Sequence, residues 1–97
     1  MARLSDAEIS SRLAKLNGWR REGPALTRTY EFGSFRDALF FVNTVAGLAE
    51  AANHHPDIDI RWRRVTLTLS THSEGGLTEK DFELAEAIET HTRRWVG

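Results

Sequence analysis

Three histidines lie close together in the second half of the chain: His54 and His55 adjoin each other before Pro56, and His72 follows Ser70-Thr71. Neutral imidazole both donates and accepts a hydrogen bond, and an unperturbed pKa of about 6.5 lets it move protons either way near neutral pH. Asp81, beyond the Gly75-Gly76 loop, could orient one of the rings. General acid–base chemistry is therefore one reading of the cluster. A hydrogen-bonded strand end is the other, with Pro56 fixing the entry to a strand and Asp81 capping a helix. Metal ligation is a third reading that the spacing weakens. His54 and His55 leave opposite faces of an extended segment, and neither H-x-H nor H-x-x-x-H occurs. His91 lies among polar residues of a helix and is set aside.

The elements that must position these residues follow from periodicity and caps. Ser5 with Glu8 has the capping-box spacing, and Ile9, Leu13 and Leu16 follow at helical intervals before Asn17-Gly18. Trp19 to Glu22 and the alternating run through Leu26, Tyr30 and Phe32 flank Gly23-Pro24 and predict a first hairpin. Ser34 caps a second helix carrying Phe35, Ala38, Val42, Val45, Ala49 and Ala52, widened by Phe41 and Leu48. Leu39, Phe40, Ala46 and Gly47 give that helix more apolar surface than one sheet needs, which points to burial by another subunit.

Asp57 to Trp62 and Val65 to Ser70 predict a second hairpin around a two-residue loop, Arg63-Arg64. That register sets Trp62 against Val65, Ile60 against Leu67 and Ile58 against Leu69, and, continued, His55 against His72. Trp62 is assigned to packing, and the arginines around the tip to solvated charge. Thr78 with Asp81 reads as a cap for a third helix through Phe82, Ala85, Ile88, Thr92 and Trp95. The expectation is an α+β fold in helix-hairpin-helix-hairpin-helix order: a four-stranded antiparallel sheet with three helices on one face.

Composition excludes several function classes. A chain of 97 residues makes one small domain, here read as residues 1–97. Thirteen Lys and Arg against fourteen Asp and Glu give a net charge of -1, so no general field draws nucleic acid or an anionic membrane. There is no cysteine, which removes disulfides, thiolate nucleophiles and sulfur-bound zinc. Gly75-Gly76 lacks the pattern of a phosphate-binding loop. No apolar run approaches the roughly 18 residues of a membrane span, so the expected location is the cytoplasm, with no direct nucleic-acid or membrane partner.

The segment Glu50-Ala-Ala-Asn53-His54-His55-Pro56, followed by Ser70-Thr71-His72, Gly76-Leu77-Thr78 and Asp81, resembles the signature of the pterin-4a-carbinolamine dehydratases. Gly18-Trp19 and the stretch from Phe35 to Ala38 are similar as well. The resemblance implies a hydro-lyase that converts a 4a-hydroxytetrahydropterin into quinonoid dihydropterin and water, as a homodimer or homotetramer with no metal or organic cofactor. It implies that His54, His55 and His72 line the pterin site. Since the reaction needs a proton donor and a proton acceptor, His54 and His72 are assigned to proton transfer and His55 to binding or orienting. Glu50, Asp81, Trp19, Pro56, Ser70 and Thr71 would stand close by. Recycling of tetrahydropterin after an aromatic amino acid hydroxylase is the usual family context. Animal members also act as dimerisation cofactors for a homeodomain transcription factor, and other relatives have assembly or molybdopterin-related roles, so a non-catalytic binding module is the alternative. Many animal members carry an aromatic residue two positions after the proline, where this chain has Ile58.

Overall fold

Ser5 opens the first helix as its pattern predicts. Its hydroxyl accepts from the Glu8 amide at 3.1 Å, and the Glu8 carboxylate accepts from the Ser5 amide at 2.9 Å. The computed structural model describes residues 2–96. In chain order it contains α1 (Asp6–Leu13), β1 (Arg20–Glu22), β2 (Ala25–Glu31), α2 (Phe35–Ala52), β3 (Asp57–Arg61), β4 (Arg64–Leu69) and α3 (Glu79–Val96). A single 3-10 turn, His72–Glu74, separates β4 from α3. The predicted element order stands. α1 is shorter than its spacing implied, and Leu16 reaches the core from the turn that follows it, while β1 begins at Arg20 and β3 ends at Arg61, each one residue short of its expected span.

All neighbouring strands are antiparallel, in the order β1-β2-β4-β3. Leu26 and Tyr30 of β2 lie beside Leu69 and Val65 of β4, and α2 packs on β4 while α3 packs on β2. Between these layers Phe41 meets Tyr30 at 4.5 Å and Phe32 at 5.0 Å between ring centroids, with Phe82, Ala85 and Ile88 completing the core. Thr27, Thr29, Thr66 and Thr68 occupy the alternate positions of the same strands, and Thr29 and Thr66 bond each other across the opposite face at 2.9 Å. The buried stripe of α2 is Ala38, Phe41, Val45 and Ala49. Phe35, which the periodicity placed in that stripe, is 49% exposed, and Trp95 of α3 is 50% exposed.

The second hairpin turns one residue earlier than its sequence suggests. Arg61 pairs with Arg64, Ile60 with Val65 and Ile58 with Leu67, so the loop is Trp62-Arg63 rather than Arg63-Arg64. Trp62 takes the positive φ of 52° that the tight turn requires, and its ring stands 69% exposed with Arg63 stacked over it. It is a tip residue and not a packing one. A shift of two positions along one strand keeps every side chain on its face, which is why apolar still meets apolar. The facing of His55 and His72 does not survive: pairing ends at Asp57 and Thr68, and this register continues with His54 toward Thr71 and His55 toward Ser70. Ile58 and Ile60 share the core-side face of the sheet, but on the edge strand they remain 37% and 38% exposed. Among the described residues, no helix is long and apolar enough to cross a membrane.

Candidate active site

The end of α2 decides where the paired histidines go. Asn53 adopts the left-handed conformation at φ 50°, its amide bonding to Glu50 O and the His54 amide reaching back to Ala49 O, which is the Schellman arrangement. The chain therefore turns sharply between α2 and β3, and the two rings part. His54 turns inward, its side chain 10% exposed, with Nε2 at 2.6 Å from Asp81 Oδ1. His55 turns outward, with Nε2 at 2.5 Å from Glu50 Oε2 in a pair open to solvent on both sides. Each histidine has its own carboxylate.

Asp81 is wholly buried in the first turn of α3 and is fully engaged. Besides His54 at Oδ1, its Oδ2 accepts from the Thr71 hydroxyl at 2.8 Å and from the Thr78 amide at 2.9 Å. Because a carboxylate only accepts, the His54 nitrogen facing it carries the proton. Nδ1 is then the acceptor nitrogen of that ring, and no described residue bonds to it. His54 lines a cleft of about 300 Å³ together with Leu48 and Ala51 of α2 and Lys80, Glu83, Leu84 and Ala87 of α3.

His72 follows Thr71 directly and begins the 3-10 turn, exposed, with its carbonyl accepting from the Gly75 amide. Its imidazole bonds to no other described residue. The turn is closed by reciprocal backbone bonds between Thr71 and Gly76, and the Leu4 amide ties the start of the chain to Leu77 O beside it. His72 is thus one residue away from the Asp81 partner Thr71, on a short, held turn. Ser70 and Pro56 are half-buried at the ends of β4 and β3. His54, Asp81 and Thr71 are thus joined by hydrogen bonds, His55 and Glu50 form a separate pair, and His72, Ser70 and Pro56 lie on the adjoining segments where β3 begins and β4 passes into α3. Within that region no three of the His, Asp and Glu side chains form a group that could hold a metal ion; the same is true of the rest of the described residues.

Trp19 stands apart from this group. It is buried, its Nε1 donates to Glu89 Oε2 at 3.0 Å, and its ring meets Tyr30 edge-on. Glu89 also accepts from the Tyr30 hydroxyl at 2.7 Å and from Arg28, which passes over Gly18 to reach it. Eight residues beyond Asp81, Glu89 is about 12 Å further along the helix. Sequence reasoning found neither this carboxylate nor the part played by Thr78, whose hydroxyl bonds Thr71. His91 is exposed on α3 and bonds to Ala87 O.

The profile of the family described as Pterin 4 alpha carbinolamine dehydratase matches residues 2–91. A protein of Roseiflexus sp. (strain RS-1), named as a candidate pterin-4-alpha-carbinolamine dehydratase, is 61% identical over 90% of this chain and 94% of its own length. A protein of the same name from Mycobacteroides abscessus is 54% identical over 97% of this chain and its whole length. Among solved structures, a transcriptional coactivator/pterin dehydratase from Brucella melitensis matches with a TM-score of 0.88 at 35% identity, over 98% of this chain and 99% of the other. A pterin dehydratase-like RuBisCO assembly factor of the alpha-carboxysome matches more loosely, with a TM-score of 0.62 at 25% identity over 74% of this chain and 83% of the other. With a family profile spanning nearly the full length and relatives of this identity, the chain belongs to the pterin-4a-carbinolamine dehydratase family.

Proposed function

We propose that this protein dehydrates a 4a-hydroxytetrahydropterin, using His54 and His72 as proton-transfer residues and no metal or organic cofactor. The observation that carries the reading is the buried His54–Asp81 pair, which turns Nε2 of the ring to the carboxylate and leaves Nδ1 without a partner among the described residues, while His72 follows the Asp81 partner Thr71 in sequence. In the reaction the bond from C4a to its hydroxyl breaks, the departing oxygen takes a proton and leaves as water, and the neighbouring ring N–H gives up its proton as the C=N bond forms. Hydroxide is a poor leaving group, so an acid is needed at the oxygen and a base at the nitrogen. His54, with its proton held toward Asp81, suits the base through Nδ1. His72 is then the acid. His55, braced by Glu50, binds the substrate. Correctly placed groups of this kind contribute about 10² to 10⁴ in rate, roughly 3 to 5 kcal/mol.

The protein acts as a homodimer or homotetramer in this proposal, in the cytoplasm and in support of an aromatic amino acid hydroxylase. Exposed Phe35 and Phe40 on α2, and Ile58 and Ile60 on the edge strand, support an assembly that covers them. The same surface, with the likeness to a structure titled as a coactivator, supports the second reading of a binding module. One assay separates the two. Substoichiometric protein should accelerate dehydration of freshly made 4a-hydroxytetrahydropterin, followed by absorbance of the quinonoid product. His54→Ala and His72→Ala should each lower kcat about 10- to 10⁴-fold, His55→Ala should act mainly on KM, and His91→Ala should change neither. A wild type no faster than buffer leaves the binding module as the function.

A further inference from the structure

The two oxygens of Asp81 are used differently: Oδ1 meets His54, while Oδ2 takes the Thr71 hydroxyl and the Thr78 amide. A hydroxyl has one proton to give. That of Thr71 goes to Asp81, so at its 2.8 Å contact with Thr78 the Thr71 oxygen accepts and Thr78 donates. Thr78 Oγ1 in turn accepts from the Lys80 amide at 3.2 Å. The direction of every bond is therefore set: donation runs from the Lys80 N–H through Thr78 and Thr71 to Asp81, which accepts from His54 on its other oxygen. Thr78 and Asp81 are wholly buried and Thr71 is 6% exposed, so water has little room to replace a missing member.

Resting on the histidine chemistry proposed above, we propose that Thr78 is a positioning residue for His54, acting through Thr71 and Asp81, in addition to capping α3. Without the Thr78 hydroxyl, the Thr71 rotor loses the donor that aims its own proton at Asp81. The carboxylate then loses part of the restraint on its plane, and the His54 ring loses it in turn. Thr71 is the middle member of this series of bonds, its hydroxyl donating to Asp81 and accepting from Thr78.

Thr78→Val removes the hydroxyl at nearly constant shape, and Thr78→Ser keeps it. At a temperature where both variants are folded by circular dichroism, the valine form should lose about 3- to 30-fold in kcat with KM within about twofold, and the serine form should recover it. The ¹⁵N imidazole spectrum of the substrate-free protein should show a sharp His54 Nε2–H signal in wild type and the serine form, broadened in the valine form. In an Asp81→Asn background, Thr78→Val should add little further loss, since both act on one chain. Wild-type kcat and a sharp His54 signal in Thr78→Val would overturn the assignment, as would full additivity with Asp81→Asn or a serine form no better than valine. The imidazole spectrum needs no turnover, so it judges the role of Thr78 even where the dehydratase assay is negative.

Discussion

Replacing Asp81 by Asn changes one atom of the site and reverses one hydrogen bond. The amide oxygen can keep the two donors now on Oδ2, the Thr71 hydroxyl at 2.8 Å and the Thr78 amide at 2.9 Å. Its NH₂ then replaces Oδ1, 2.6 Å from His54 Nε2, where two donors cannot face each other. His54 must carry its proton on Nδ1 and accept at Nε2, so the lone pair proposed as the base is lost. The same exchange in the Ser-His-Asp triad, where the acid holds the tautomer, lowers kcat about 10⁴-fold. Here the expected loss is about 10²- to 10⁴-fold in kcat, the range of a single general base. Stability should suffer less. The three charge-assisted bonds to the carboxylate become neutral ones, offset in part because a buried amide costs less to desolvate than a buried charge, for a net loss of about 1 to 2 kcal/mol, or roughly 5 to 15 °C in Tm for a domain of this size. Asp81→Ala strands all three donors and should cost about 3 to 5 kcal/mol. Stopped-flow dehydration gives kcat, thermal denaturation gives Tm, and ¹⁵N imidazole spectra give the tautomer. A folded Asp81→Asn protein with kcat within about threefold of wild type, or one that retains the proton on Nε2, would refute the assignment of His54 Nδ1 as base.

The remaining expectations concern the second carboxylate, the assembly and alkaline pH. Glu89→Ala leaves the donors of Trp19, Tyr30 and Arg28 without their acceptor and should destabilise by about 3 to 5 kcal/mol in urea unfolding. KM measured on the folded fraction should be unchanged, and a raised KM would instead bring Trp19 back among the substrate contacts. Light scattering at micromolar concentration should show a dimer or tetramer, and a monodisperse 11.0 kDa species would remove the assembly. Tyr30 is the only tyrosine, and burial first, then the Glu89 carboxylate, pushes its hydroxyl far above the usual phenol range. The unfolded chain ionises near pH 10 and the folded one does not. The contribution is therefore complete below that pH and is lost as pH rises through the folded value. Absorbance at alkaline pH should show no tyrosinate until the protein unfolds, whereas a reversible titration near pH 10 in the native state would contradict the burial.

What the sequence revealed and what it hid divide along the length of chain over which each interaction acts. Caps and periodicities are local, so Ser5, Ser34 and Thr78 and the alternation in β2 and β4 could be read directly. The hairpin register could not. Moving the loop by one residue shifts the pairing by two positions and leaves the alternation intact, so the choice fell to the turn, where Trp62 accepts a backbone conformation that its own propensity opposes. At the site the residue types were legible, and so was Asp81 as the partner of a histidine, but which ring it would hold was not. Both histidines follow the Asn53 turn, and their rings part there, His54 to Asp81 and His55 to Glu50. The Glu89 cluster unites three segments far apart in sequence and leaves no local pattern at all.

The Thr78 to Asp81 spacing is instructive in another way, because the helix-cap and the ring-orienting readings of Asp81, offered as alternatives, both hold. A capping carboxylate needs a single oxygen for the backbone amide it receives. In this chain Oδ2 meets that need and takes the Thr71 hydroxyl besides, which leaves Oδ1 free for His54. A residue that begins a helix thereby also holds a histidine from another element. The closing of α3 onto the end of α2 and the orientation of the ring become one event. A substitution at Asp81 must then move stability and proton transfer together, while one at His72, which has no partner among the described residues, should move proton transfer alone.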